Sequence, residues 1–188
     1  MSELTLDRRI DRLEARAKIE ELVCNYCIAY DDRDMDLMRS LMTEDVIFRS
    51  KDRTLDVRGA DALTAMFQGM FMTRGPSCHW TTDRVLEFDE ANPDRITGRL
   101  LGHAETTPNG VATIMSYRYD DVYRRISGEW KFAERELSLQ YSIPVENYVE
   151  RITSPERCFQ GGSWRSADYP ERLGTWQQAS SDVPGSGN

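Results

Sequence analysis

The amino-terminal third of the chain carries apolar side chains at helical spacing. One stripe recurs every three or four positions and predicts a long first helix: Ile19, Leu22, Val23, Tyr26 and Tyr30. Leu6, Ile10 and Leu13 precede this stripe in a slightly different phase. The pattern therefore predicts a helix that buries one face along its second half.

Two shorter helices and one strand are predicted next. Met35, Met38 and Leu41 give a short helix over Asp34–Met42, and Val46-Ile47-Phe48 gives a short strand. Ala60–Met72 is predicted as a third helix because Gly59 and Gly75 bracket it. Methionines on both helices would face an apolar interior.

The middle of the chain has the pattern of a β-meander. Four long segments are separated by turn residues, of which Asn109-Gly110 is the strongest hairpin signal: Ser77–Glu90, Arg95–Thr107, Val111–Ile126 and Glu129–Tyr141. In the fourth segment Trp130 and Phe132 are in one phase and Leu137 and Leu139 in the other, which predicts a β-bulge. The fold class is therefore α+β, with a strongly curved antiparallel sheet wrapped around the helices.

The chain is predicted to form one domain with an addition. Residues 1–141 make the domain, and residues 142–179 an irregular carboxy-terminal extension that packs on the domain or on a neighbouring subunit. Residues 180–188 are predicted to be a disordered tail, because they are short on apolar side chains.

Composition excludes several classes of function. The 188 residues hold 24 Lys and Arg against 32 Asp and Glu, a net charge of −8, which argues against nucleic-acid or anionic-membrane partners. No apolar run approaches the roughly 20 residues of a membrane span. The charged amino terminus lacks a signal core, and four cysteines are too few for a disulfide scaffold. A cytoplasmic protein is expected.

Asp31 and His79 are the candidates for acid–base chemistry. Asp31 continues the inner row of the first helix, where desolvation would disfavour its charged form unless a partner compensates. His79 lies near the start of the first long strand and could exchange a proton near neutral pH. The alternatives are an Asp that only ends its helix and a structural strand histidine. His103, the second of two histidines, lies mid-strand on a face that spacing does not fix.

A metal site is the alternative for the cysteines. Cys24 and Cys27 have the spacing of a zinc or redox motif, but they lie inside a predicted helix. Only Cys78, His79, His103 and Cys158 could complete such a site, so two small core residues are the preferred interpretation. The sequence has no Gly-rich phosphate loop and no nucleophile elbow, and no cofactor is predicted.

Two stretches resemble a known family. Arg16–Leu22, Tyr30–Asp34 and Leu41–Phe48 resemble the opening of SnoaL-like proteins of the nuclear transport factor 2-like superfamily. Val122–Phe132 resembles their penultimate hairpin, and the similarity covers about residues 10–141. The resemblance implies a cone-shaped fold with an apolar cavity at its open end, and a homo-oligomer, either a trimer or a dimer.

Within that superfamily the resemblance is to scytalone dehydratase and hexachlorocyclohexane dehydrochlorinase. In those enzymes an Asp at the end of the first long helix pairs with a His on the first long strand, and Asp31 and His79 fall at the matching positions. The resemblance implies that His79 is a general base held by Asp31. It further implies that Tyr30 and Arg125 bind a substrate oxygen or leaving group. The expected cavity lining is Tyr26, Phe48, Met66, Met70, Trp80, Tyr117 and Tyr119.

The resulting functional prediction is a cofactor-independent lyase, of dehydratase or dehydrohalogenase type, acting on a small hydrophobic, cyclic molecule. A proton-transfer isomerase is a second possibility. A non-catalytic protein of the same fold, such as the small subunit of a ring-hydroxylating dioxygenase or a ligand-binding module, is the rival class. Contact between Asp31 and His79 at a cavity would favour the enzyme, and separated side chains would favour the scaffold.

Overall fold

The fold begins with one long helix whose second half is buried. The computed structural model describes residues 4–181, and helix α1 spans Leu6–Asp31 with the Thr5 hydroxyl capping its start. Ile19 and Val23 are almost fully buried, whereas Leu6 and Leu13, in the other phase, are about two-thirds exposed. The change of phase along the sequence thus marks where α1 leaves the body of the protein.

The next elements differ in length from the prediction. Helix α2 spans only Met35–Ser40, and strand β1 begins already at Met42 and runs to Ser50. Met42 leaves the helix because it pairs with Phe132 in the sheet, where the Phe132 N–H donates to the Leu41 carbonyl. Strand β2 spans Asp56–Arg58 and helix α3 spans Ala60–Phe71, within one residue of the predicted third helix.

The predicted meander is present. Strands β3 (Cys78–Phe88), β4 (Arg95–Thr106), β5 (Thr113–Ile126) and β6 (Glu129–Pro144) pair antiparallel in chain order. The register of β5 against β6 shifts twice, and one shift falls after Phe132, where the change of phase predicts a bulge. These irregularities bend β6, so that the sheet curves around α1 and α3.

One pairing was absent from the prediction. β1 lies parallel to β6, which completes the path β2-β1-β6-β5-β4-β3. A parallel pair needs a long crossover, and here the crossover contains β2, α3 and the first three strands of the meander. The meander pattern shows only neighbours along the chain, so it does not reveal this contact.

Gly102 leaves space for the ring of Tyr117 on the concave face of the sheet. A Cβ atom at this position would lie 2.0 Å from the Tyr117 ring on the neighbouring strand. Gly102 is paired with Tyr117 across β4 and β5, so the absent side chain leaves room for the ring to lie flat over β4. Tyr117 is consequently 4% exposed and faces the interior.

The segment after the meander packs on the sheet through its first part, up to about residue 169. It contains a 3₁₀ turn over Val145–Asn147, helix α4 (Tyr148–Arg151), strands β7 (Cys158–Gln160) and β8 (Ser163–Arg165), and helix α5 (Gly174–Ser181). β7 pairs with β6 at Ser142, and the Asp168 carboxylate accepts the Leu139 N–H. Of the predicted disordered tail, Ser180 and Ser181 end α5, and the remaining residues lie outside the described part.

Arg157 anchors this segment from inside. Its guanidinium is 5% exposed and donates to the carbonyls of Gln140, Ser154 and Tyr169 and to the Glu171 carboxylate. Because these carbonyls belong to β6 and to the chain after it, the guanidinium joins the segment to the strand. Within the part of the chain that the structure describes, no helix is long and apolar enough to cross a membrane.

The first prediction concerns this anchor. Arg157→Met removes the donors and leaves buried carbonyls without partners, so we expect a loss of about 2–4 kcal/mol of unfolding free energy. Hydrogen exchange should accelerate across residues 142–179. Arg99→Met is the matched control, because Arg99 forms an exposed ion pair with Asp120 and its loss should change stability little. Equal melting temperatures and unchanged exchange in Arg157→Met would show that the anchor lies elsewhere.

Candidate active site

A carboxylate at the end of α1 meets a histidine at the start of β3. Asp31 Oδ1 lies 2.6 Å from His79 Nδ1 and accepts the Ser77 hydroxyl at 2.7 Å, while Oδ2 accepts the His79 backbone N–H at 2.7 Å. One carboxylate therefore fixes both the ring and the backbone of the histidine. With Asp31 ionised, Nδ1 carries the proton and Nε2 remains the basic nitrogen.

The surroundings of His79 favour its neutral form. Its side chain is 14% exposed, and burial, the largest effect, lowers its pKa below the usual value. The hydrogen bond and charge of Asp31 raise the pKa, and the cation of Arg74 lowers it again. A lowered pKa leaves the imidazole unprotonated at neutral pH, which is the form that can accept a proton.

His79 lines a small cavity on the concave side of the sheet. The cavity has a volume of about 150 Å³ and continues into a vestibule of about 400 Å³, with which it shares Met70, Arg74, Met115 and Gln160. Most of the predicted lining residues are found there: Tyr26, Tyr30, Phe48, Met66, Met70, Tyr117 and Tyr119. The walls are mainly aromatic and aliphatic, as the sequence pattern predicts.

The tyrosines of this cavity are held as neutral hydroxyls. Burial raises the pKa of Tyr30 and Tyr26 above the usual value and raises that of Tyr119 to about 12. The Tyr30 ring lies 4.6 Å from the His79 imidazole, measured between ring centroids. The Tyr30 hydroxyl accepts a hydrogen bond from Arg74 Nη1 at 3.2 Å, and because it is protonated it can also donate one to a molecule bound in the cavity.

Trp80 is not brought to the cavity. Successive side chains of a strand point to opposite faces, so His79 and Trp80 cannot both face inward from β3. Trp80 is 38% exposed and packs on the His103 ring at 4.8 Å between centroids. It borders a separate groove of about 500 Å³ between α1 and β3, which also reaches Asp31 and His79 from the other side.

Arg125 also lies apart from the cavity. Its guanidinium donates to Asp11 at 2.6 Å and to Asp94 at 2.7 Å, and it packs on the Trp130 ring. These contacts join α1 to the turns at the other end of the sheet. The expected role of Arg125 in binding a leaving group finds no support in this position.

His103 and the cysteines take no part in the arrangement around the cavity. His103 Nε2 lies 2.9 Å from the Tyr141 hydroxyl, on the face of the sheet that carries Trp80. Cys24 is exposed and Cys27 buried, and both are free thiols. Among residues 4–181 no group of three or more His, Cys, Asp or Glu side chains is arranged to hold a metal ion.

Three polar residues near the cavity were missed by the sequence patterns. Arg74 lies in the loop after α3, and Gln160 comes from β7; both line the cavity and the vestibule. Arg135 is fully buried behind the lining, paired with Asp121 at 2.9 Å and packed on the rings of Tyr26 and Tyr119. The bulge in β6 interrupts the alternation of inward and outward side chains, so the pattern does not show that Arg135 points inward. Arg74 lies in a loop, where side chains follow no regular period.

The sequence is similar to a known protein family and to characterised relatives. The model of the SnoaL-like domain matches residues 11–136. A gamma-hexachlorocyclohexane dehydrochlorinase of Sphingobium indicum is 25% identical over 144 residues, which cover 72% of this chain and 87% of that protein.

Solved structures show the same fold at lower identity. A crystal structure of hexachlorocyclohexane dehydrochlorinase type 2 has a TM-score of 0.67 at 21% identity, covering 73% of this chain and 93% of that one. A proposed scytalone dehydratase from Novosphingobium aromaticivorans has a TM-score of 0.69 at 18% identity, covering 87% and 98%.

The pKa of His79 provides the second prediction. Asp31→Asn should lower it, because the carboxylate stabilises the charged imidazole, and Arg74→Gln should raise it, because a nearby cation is removed. NMR titration of the imidazole nitrogens in the two variants measures both shifts against wild type. Shifts in the same direction, or none, would contradict the electrostatic description of the site.

Proposed function

The chain belongs to the SnoaL-like domain family, and we propose that it is a lyase in which His79 removes a proton from a small hydrophobic, cyclic substrate. The observation that supports this most strongly is the contact of 2.6 Å between Asp31 Oδ1 and His79 Nδ1. It leaves Nε2 as the basic nitrogen of an imidazole that lines an apolar cavity. Asp31 orients the ring and stabilises the imidazolium that forms.

The proposed step is an elimination. Nε2 of His79 takes a proton from carbon, the C–H electrons form a carbon–carbon double bond, and the adjacent bond to the leaving group breaks. The leaving group departs with the electrons of its own bond to carbon, either as halide or, when it is a hydroxyl, as water after taking the proton that the His79 imidazolium now carries. In this step the protonated hydroxyl of Tyr30, whose ring packs beside His79, hydrogen-bonds the departing group.

The cavity supports a compact substrate. Its volume of about 150 Å³, with a vestibule beyond it, suits a single ring more readily than an extended chain. The aromatic rings of Tyr26, Phe48 and Tyr119 offer apolar surface on several sides. No cofactor is included in the proposal, since proton removal and leaving-group departure require only these side chains.

The rival interpretation, a non-catalytic subunit, is less well supported. A scaffold would not require a half-buried carboxylate to hold an imidazole at a cavity, because removing both groups from water costs desolvation energy. A proton-transfer isomerase would use the same base and would differ only in its product. A homo-oligomer, dimer or trimer, remains part of the proposal and is supported by apolar side chains on the outer surface, such as Trp80 and Val149.

The third prediction tests the proposed base. Purified protein is incubated with cyclic alcohols and halides, and alkene and halide release are measured. His79→Gln and Asp31→Asn should each reduce turnover by about 10²–10⁴-fold, the usual contribution of a positioned base. His103→Gln is the matched control, because the second histidine lies on the outer face of the sheet, and it should retain wild-type turnover.

Two results would contradict the proposal. Wild-type turnover in His79→Gln would exclude His79 as the base. Loss of turnover in His103→Gln to the same extent would show that removing either histidine disturbs the protein generally. Product analysis of the active protein separates elimination from isomerisation, since an isomer retains every atom of the substrate.

A further inference from the structure

Arg74 is held in place at the mouth of the cavity. It lies in the loop between α3 and β3, where its backbone carbonyl accepts the Arg33 guanidinium at 2.7 Å. On its other side the backbone bridges to Pro108 in the loop after β4. The position of Arg74 is thus fixed through its backbone, independently of what its side chain binds.

The side chain of Arg74 is only partly used. Its Nη1 donates to the Tyr30 hydroxyl at 3.2 Å, which is the one side-chain hydrogen bond that it makes within residues 4–181. In that range no carboxylate lies within 4.0 Å of its guanidinium. A guanidinium has five N–H donors arranged for planar acceptors, so most of the capacity of Arg74 remains available at the cavity.

The walls around Arg74 carry no compensating negative charge. Neither the cavity nor the vestibule is lined by an Asp or Glu, and Arg74 is the Lys or Arg that lines both. The carboxylate of Asp31 borders the groove on the other side of His79. Within the described residues Arg74 is therefore the charged side chain that a molecule in this space contacts directly, because the Asp31 carboxylate is engaged by Ser77 and His79.

Gln160 adds a second donor to the same space. Its Oε1 accepts the Arg165 guanidinium at 2.8 Å, which leaves its NH₂ group as the free end of the amide. Gln160 belongs to the segment that Arg157 anchors on the sheet, and like Arg74 it lines both cavity and vestibule. Two donors thus border a space whose inner end is aromatic and apolar.

We propose that the substrate of this site is an amphiphilic anion, in which a compact apolar ring occupies the tyrosine-lined cavity and a carboxylate is bound by Arg74. Gln160 donates a further hydrogen bond to that carboxylate. The inference rests on the proposed function, because it concerns the substrate of the same cavity. Cationic molecules of equal size are excluded by the charge of Arg74, and neutral molecules bind more weakly.

The test compares three probes of equal shape. Binding of cyclohexanecarboxylate, cyclohexanecarboxamide and cyclohexylmethylammonium is measured by calorimetry at neutral pH. The carboxylate should bind about tenfold or more tightly than the amide, as a charge-assisted hydrogen bond of a guanidinium provides, and the ammonium should not bind. Arg74→Gln should abolish the preference for the carboxylate, and Arg74→Lys should retain part of it.

The controls separate a local from a general effect of charge. Arg99→Gln removes the same charge from the outer surface and should leave the preference for the carboxylate unchanged. Equal affinity for carboxylate and amide, no binding of the carboxylate, or a preference that survives Arg74→Gln would each overturn the inference.

The two proposals fail separately. His79→Gln should still prefer the carboxylate, since binding does not require the base. A preference for the carboxylate together with full turnover in His79→Gln would refute the proposed base and leave the anion site standing. If the His79→Gln variant is inactive and the wild-type protein shows no preference for the carboxylate, the anion site is refuted and the proposed base stands.

Discussion

The arrangement around the cavity depends on the Asp31 carboxylate. Its two oxygens accept the Ser77 hydroxyl, the His79 backbone N–H and the His79 ring, and so join the end of α1 to the start of β3. A half-buried carboxylate at a helix end would be unfavourable without donors that hydrogen-bond to it in this way. The same three bonds align an edge strand against the helix and fix the tautomer of the histidine. The hydrogen bonds of Asp31 therefore both connect α1 to β3 and form the candidate catalytic pair with His79.

Opposing effects set the pKa of His79, and the lowering effects are the larger. Burial and the Arg74 cation lower the pKa of the imidazole, and Asp31 opposes them without reversing the result. The neighbouring tyrosines stay neutral because burial raises their pKa. The cavity thus combines a neutral base, neutral hydroxyl donors and one cation, and its walls carry no carboxylate within the described residues. This set of groups suits proton removal from a molecule that carries or develops negative charge.

Much of this site could be predicted from periodicity and resemblance. Asp31 ends a helix with a clear apolar stripe, and His79 lies at the start of a long strand, so the sequence predicts the place of both residues in the fold. Trp80 was misplaced because strand parity allows only one of two adjacent residues to face inward. Arg74 and Gln160 come from a loop and from a strand of three residues, where no period exists. The parallel pairing of β1 with β6 joins residues about ninety positions apart, and local patterns carry no information on such contacts.

The central claim is that the neutral imidazole of His79 accepts the substrate proton. The most direct measurement compares the pH dependence of kcat/KM, for a substrate that is turned over, with the pKa of His79 from NMR on the same protein. Because protonation removes the base, kcat/KM should fall as the pH decreases, with a midpoint equal to that pKa. A profile without this acid limb, or a midpoint clearly displaced from the pKa of His79, would contradict the account.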